Sequence, residues 1–398
     1  MYIEKELVAV AKRENNRKRN YLVVNPLQGK HIPVRPNEAI KLFDTLAGIV
    51  GGAYGGERLL VIGFAETATA IGAEVAIRLG ERYIQTTREE ILQAEYICFT
   101  EAHSHAVQQK LMKEAVDRAI GEVGRIVFIE DEVTTGNTIL SIVGELEEKY
   151  GRDIRFAVAS ILNGMTEEHR KVFKERGIQC HYILKTCHED YGGIAGRYTE
   201  NGSYEACDTG CRYEVDEVRF TGWMDTRRLV DSGMYRKSCE KLWKDMESVF
   251  HFEKGERILV VGTEEFMYPA LYVAACIEKL GCGVRCHATT RSPIAVSMDA
   301  GYPLRTRYEL RSMYDPARVT YIYDIGSYDR VFVITDAQGP GSTKEAWHGG
   351  SSGNVKASGD TGDAGNVKAS GDTGDAGVNS LVNALKKKNS EIHLIRWC

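Results

Sequence analysis

One phrase of this chain occurs twice, and the repetition limits the folds open to it. Arg58-Leu-Leu-Val-Ile-Gly63 followed by Glu66 returns as Arg257-Ile-Leu-Val-Val-Gly262 followed by Glu265, each leading into a helix-like stretch that ends at Gly80 or Gly281. Thr86-Thr87-Arg88 is matched by Thr289-Thr290-Arg291, and Val127-Phe128-Ile129-Glu130-Asp131 by Phe332-Val333-Ile334-Thr335-Asp336, in the same order and at nearly constant separation. A generic strand and helix recur by chance, but a shared Thr-Thr-Arg and a terminal Asp are not generic. Short apolar runs alternating with helical periodicity build parallel α/β sheets. The sequence therefore predicts an α/β protein of two related Rossmann-like units, the second degenerate, and 398 residues is a length for two domains.

The first unit, residues 20–186, has expected strands at Tyr21–Val24, Leu59–Ile62, Tyr96–Phe99, Ile126–Ile129 and Phe156–Ser160 in one parallel sheet. Residues 187–252 read as a connector with a helix over Ser238–Val249, and residues 253–398 as the second unit. Within the latter, residues 349–377 form a Gly/Asp-rich insert in which Gly353–Ala364 is repeated letter for letter as Gly365–Ala376. Lacking large apolar residues it cannot form a core and is expected to be disordered. A helix over Val378–Lys388 and a strand over Glu391–Trp397 close the chain.

The chemistry concentrates in Ile126-Val-Phe-Ile-Glu-Asp-Glu-Val-Thr-Thr-Gly-Asn-Thr138, a buried strand, an acid pair and a hydroxyl-rich turn that opens a helix. The turn Thr134, Thr135, Gly136, Asn137 and Thr138 would aim N–H groups and hydroxyls at one point, where a helix N-terminus favours a phosphate. Glu130 and Asp131 leave the strand just before it, placed to accept from ribose hydroxyls or to hold magnesium, which prefers carboxylate and phosphate oxygens. An ordinary buried strand with a Thr-rich cap explains the run and the turn but not the acids. The turn at Ala65, Glu66 and Thr67 is a second anion cradle. His103 and His105, with Lys110 beyond them, are candidates to donate to a leaving group or shuttle a proton. Asn25–Pro33 suggests a lid. Thr290, Arg291 and Ser292, followed by Pro293, suggest a second anion grip in the other unit.

The acid pair and its turn resemble the phosphoribosyl pyrophosphate (PRPP) loop of the type I phosphoribosyltransferases. Thr134 stands where purine-salvage members carry an acid, as in orotate-type members, and Glu132 departs from the usual aliphatic residue. With Thr290-Arg291-Ser292-Pro293, Gly63-Phe-Ala-Glu-Thr-Ala-Thr-Ala and Asn25-Pro-Leu-Gln-Gly-Lys-His-Ile-Pro33, the chain resembles the two-domain proteins that join an orotate-type phosphoribosyltransferase to a C-terminal TRSP domain. The resemblance implies transfer of phosphoribose from PRPP to a nucleobase-like acceptor, with Mg2+ held indirectly by Glu130 and Asp131 through PRPP. It implies a ribose phosphate at Thr134–Thr138 and pyrophosphate at Ala65–Thr67, with Arg88, His103, His105 and Lys110 assisting its departure. Such proteins occur in bacterial tellurite-resistance and stress-response gene clusters, with a proposed role in making a nucleoside-like metabolite. Enzymes of the same cluster, and a second copy in a homodimer, are the candidate macromolecular partners. The rival reading is a PRPP sensor or scaffold without catalysis.

A net charge of -5 gives no electrostatic footprint for nucleic acid. The charged start lacks the apolar core expected of a signal peptide and no apolar stretch approaches membrane-spanning length, so the expected location is cytoplasmic. Ten cysteines then read as reduced thiols. Cys180, Cys187, Cys207 and Cys211 lack a standard zinc spacing, and free thiols are the expected state.

Overall fold

The computed structural model describes residues 2–14, 19–91, 93–99, 109–151, 153–188, 190–207, 214–338 and 376–398. His103, His105, Cys211 and the insert up to residue 375 lie outside these.

The first unit opens with α1 (Glu4–Leu7) and the antiparallel pair β1 (Ala9–Lys12) and β2 (Tyr21–Val24). Next come α2 (Pro36–Tyr54), β3 (Leu59–Gly63), α3 (Thr69–Leu79), β4 (Arg82–Gln85), β5 (Tyr96–Phe99), β6 (Gln109–Met112) and α4 (Lys113–Ile120). It closes with β7 (Arg125–Val133), α5 (Asn137–Tyr150), β8 (Arg155–Asn163), α6 (Glu167–Glu175) and β9 (Gln179–Lys185). Between the units lie α7 (Tyr191–Arg197), β10 (Ser203–Ala206), β11 (Asp216–Phe220), β12 (Val230–Asp231) and α8 (Ser232–Val249). The second unit has β13 (Arg257–Gly262), α9 (Tyr268–Lys279), β14 (Gly283–Ala288), β15 (Thr306–Arg311) and β16 (Val319–Tyr323). It ends in β17 (Arg330–Thr335), α10 (Ala376–Lys386) and β18 (Glu391–Trp397).

The repetition in sequence is a repetition of topology. Parallel strands run β4-β3-β7-β8-β9 in the first sheet and β14-β13-β17-β18-β11 in the second, so each repeated phrase takes the same place. The antiparallel ribbons β5–β6 and β15–β16 also correspond. One isolated bridge ties each ribbon to its Thr-Thr turn, Thr87 to Lys110 and Thr290 to Tyr321. The repeated glycines have a common cause, since the next turn folds back over them. A Cβ on Gly63 would lie 3.0 Å from the Ala68 carbonyl oxygen, and one on Gly262 2.7 Å from that of Phe266.

Two expected strands belong elsewhere than the parallel sheet. Tyr21–Val24 pairs with β1 and Tyr96–Phe99 with β6, both antiparallel, and β4 and β9 take the remaining sheet positions. The span read as a connector builds both units. β10 and β11 pair with β15 and β18 of the second, while β12 adds antiparallel to β4 of the first. Helix α8 begins at Ser232, not Ser238, because Asp231 accepts from the Met234 N–H at 2.9 Å and caps it there. Helix α10 begins at Ala376, so the last two residues of the expected insert are helical. One apolar cluster runs from Leu60 and Ile71 through Leu242 to Ala270, Ala274 and Phe332, so the units share a core. No helix among the described residues is long and apolar enough to cross a membrane.

Candidate active site

Three turns meet at the carboxyl ends of β3, β4 and β7. Register sets them side by side, with Gly63 beside Gln85 on one flank and Ile129 on the other. The Phe64 N–H donates to the Ile129 carbonyl at 3.1 Å and the Thr86 N–H to that of Gly63 at 2.9 Å. Across the turns, the Ala65 N–H donates to the Thr86 hydroxyl at 2.8 Å, and the peptide between Ala65 and Glu66 is cis. The Thr67 side chain lies close to the Asp131 carboxyl, which sets the first cradle beside the acid pair. Helices α3 and α5 both start without a side-chain hydrogen bond from the N-cap residue, and their N-termini favour an anion; at α5 the Asn137 N–H donates to the Thr135 hydroxyl at 3.3 Å.

Gly136 shapes the second cradle. Its φ of 76° is left-handed, and a Cβ there would lie 2.4 Å from the Phe173 ring. Gly136→Ala is expected to cost at least about 1–2 kcal/mol from the backbone alone, with the ring displaced in addition. Urea denaturation reads that loss, and weaker ribose 5-phosphate binding would report the displaced Thr134–Thr138 turn.

The three acids divide. Asp131 forms no ion pair among the described residues, and burial, with the Glu132 charge beside it, pushes its carboxyl up to about 6. Side chains alternate along a strand, so Glu132 projects away from Asp131. Glu132 is held there by Arg19 at 2.7 Å, with His188 Nε2 at 3.2 Å. Burial and the Arg19 charge bring His188 down to about 4, so its ring is neutral near pH 7. That ring stacks on Tyr191 at 4.8 Å, meets the Tyr21 hydroxyl at 3.0 Å and lies against Gly164. Arg19 and Tyr21 come from the β1–β2 ribbon, His188 from just past β9 and Tyr191 from the start of α7, and the packing of α7 on the ribbon brings them together.

For magnesium, Asp131 offers hard oxygen donors and forms no direct ion pair among the described residues, which fits the ion. No group of three or more His, Cys, Asp or Glu among the described residues could hold a metal alone, so ligand oxygens would complete the shell. Cys180, Cys187 and Cys207 are free thiols, and burial pushes both Cys180 and Cys207 up to about 11.

Arg88 offers a guanidinium with no ion pair among the described residues, and its Nε is buried without a hydrogen bond. Lys110 turns to Glu90 and lies 5.3 Å from the Tyr96 ring centroid. His103 and His105 fall between β5 and β6, outside the described residues. The loop read as a lid is an internal brace. Lys30 is fully buried, its Nζ donating to the Glu264 and Thr289 carbonyls at 2.6 and 2.8 Å and pairing with Glu66 at 2.7 Å. Gln28 donates to the Thr67 carbonyl at 2.7 Å.

The second unit has the same turns, but they are filled. Arg291, expected to grip a ligand anion, is engaged by Glu264 at 2.7 Å, by Glu66 and Glu265 at 3.3 Å each, and by Glu89. Thr290 is bridged to Tyr321, and its hydroxyl accepts from the Ser292 N–H at 3.2 Å. Although burial opposes it, Lys30 and Arg291 draw the Glu66 carboxyl down to about 2. The Glu66 side chain thus faces the second unit, leaving the backbone and Thr67 to the first. Asp336, the counterpart of Asp131, is closed off by Arg227 at 2.9 Å and the Tyr314 hydroxyl at 2.6 Å.

Residues 7–187 match the family described as phosphoribosyl transferase, and residues 230–346 match the TRSP domain found C-terminal to it. No curated protein matches the chain. Among solved structures, the chain is similar to adenine phosphoribosyltransferase from Leishmania donovani (15% identity, 49% of this chain and 84% of that one, TM-score 0.36). It is also similar to the enzyme from Thermoanaerobacter pseudethanolicus (18% identity, 46% and 97%, TM-score 0.33).

Proposed function

We propose that this chain, a phosphoribosyltransferase-family domain followed by a TRSP domain, transfers phosphoribose from PRPP to a nucleobase-like acceptor and releases pyrophosphate. The observation that carries the reading is the contrast between the two units: Asp131 and Arg88 have no ionic partner among the described residues, whereas their counterparts Asp336 and Arg291 are fully engaged.

In this reading Thr134 to Thr138 receive the ribose phosphate, with the N-terminus of α5 behind them. Glu130 and Asp131 accept from the ribose hydroxyls, and the backbone of Ala65 to Thr67 receives the pyrophosphate. As the glycosidic bond to pyrophosphate stretches, charge builds on the leaving oxygens and on an oxocarbenium-like sugar. Preorganised groups are most effective against such developing charge. Arg88, whose guanidinium has no ion pair among the described residues, is taken as the cation that meets the leaving group, with Lys110, His103 and His105 as further candidates. Magnesium, held through PRPP beside Glu130 and Asp131, would supply charge neutralisation. The acceptor is a nucleobase-like small molecule, the product a precursor of a nucleoside-like metabolite, and the compartment the cytoplasm.

Calorimetric titration with PRPP and magnesium tests the reading, with pyrophosphate release from pools of heterocyclic acceptors as the second measurement. Saturable binding that requires both is expected. No binding overturns the reading, and binding without release from any acceptor favours a sensor.

A further inference from the structure

The two units exchange glutamates. Glu265 of the second unit places both carboxylate oxygens on the first unit's Thr-Thr-Arg turn, accepting from the Thr87 hydroxyl at 2.7 Å and the Arg88 N–H at 2.8 Å. Glu66 of the first unit does the converse, accepting from the Arg291 N–H at 3.2 Å. The Glu265 backbone takes part too, its carbonyl accepting from the Thr69 hydroxyl at 2.9 Å, at the first residue of α3. One buried residue of the second unit thus touches both the Arg88 turn and the helix behind the Ala65–Thr67 turn. Arg291 at 3.3 Å and Arg227 at 3.7 Å fix the carboxylate in turn.

The exchange has unequal consequences. Arg291 is held by its side chain as well as its backbone, whereas no carboxylate among the described residues holds the Arg88 guanidinium. The placement of Arg88 therefore depends on its backbone turn, and Glu265 grips that turn. Misplacing a charge-stabilising group by about 1 Å costs on the order of a hundredfold in rate.

We infer that Glu265 is a positioning residue for the first unit's site, so that the TRSP domain completes that site without touching substrate. The inference rests on the PRPP reading above. Exchanging Glu265 for glutamine keeps one acceptor oxygen but turns an NH2 toward one of the two donors. Glu278 supplies the control, because it also joins the units, accepting from Arg35 Nε at 3.1 Å and the Asn37 side chain at 2.6 Å, but at the far end of α9.

Glu265→Gln is expected to weaken PRPP–magnesium binding by about tenfold or more and to slow pyrophosphate release at saturating PRPP. Glu278→Ala should bind PRPP as the wild type does, even if the two variants lose similar stability in urea. Should Glu265→Gln fail to fold, Thr87→Val removes one arm of the grip while leaving Glu265 with Arg88, Arg227 and Arg291, and a severalfold loss is expected. A Glu265→Gln variant that binds and turns over normally, or an equal loss in Glu278→Ala, overturns the positioning role. A wild-type protein that does not bind PRPP overturns the functional reading itself.

Discussion

Asp131→Asn is expected to make the unliganded protein more stable while weakening PRPP binding by about a hundredfold or more. On the proposed function, the binding loss follows from exchanging a charged acceptor for an amide where ribose hydroxyls and magnesium would be met. The stability gain follows from the carboxyl being pushed up to about 6 by burial and by Glu132. A carboxyl raised in the native state favours the native fold when protonated. That contribution is fully present below the unfolded value near 4 and is lost as pH rises through about 6. At neutral pH the ionised group therefore costs roughly 3 kcal/mol, by order of magnitude, and asparagine escapes much of it. Thermal melts in a chelator, without PRPP, should show the variant ahead at pH 8 and the gap closing between about pH 6 and pH 4. A variant that melts below the wild type at pH 8 would contradict the argument, as would one that still binds PRPP normally.

Arg227→Met is the second large effect. The guanidinium is buried against Asp336 at 2.9 Å, Asp225 at 3.4 Å and Glu265 at 3.7 Å. Burial opposes its charge, but those three carboxylates outweigh the penalty and keep it protonated. Deleting one partner of a buried ion network leaves uncompensated charge and typically costs about 3–5 kcal/mol. Urea denaturation at pH 7.5 should show a loss of that order, partly recovered in the double variant with Asp336→Asn. A loss under about 1 kcal/mol would mean that water reaches the cluster and screens it.

The parts of the fold legible in sequence were those carried by contiguous pattern. Leu59–Gly63 and Arg257–Gly262 announce themselves as apolar runs ending in glycine, and their match extends to Thr-Thr-Arg and the terminal Asp. β4, with Arg82 and Gln85 at its ends, and β9, half-exposed at the sheet edge, lack that signature. Strand character was clear in Tyr21–Val24 and Tyr96–Phe99, but pairing was not, because local alternation does not reveal the partner strand. β11 was illegible for a further reason: it joins the sheet beside β18, far later in the chain. The site divides in the same way. Both cradles and the acid pair are local phrases, whereas Glu265 meets Arg88 across 177 positions and Glu66 meets Arg291 across 225. Residues 132 and 188 likewise meet only through the fold, so the role of Glu132 could not be read in advance.

The exchange of Glu66 and Glu265 takes place within a single polypeptide, and this bears on how the protein behaves at low abundance. Two separate subunits that completed one another's sites would fall apart on dilution, and activity per molecule would fall with them. Here a covalent tether and a shared core keep the supporting unit at a fixed, high effective concentration. The Arg88 turn is consequently gripped as firmly in a cell that holds a few copies as in a concentrated solution. The cost is carried by heredity, since a substitution in the filled second unit cannot be offset by exchanging partners.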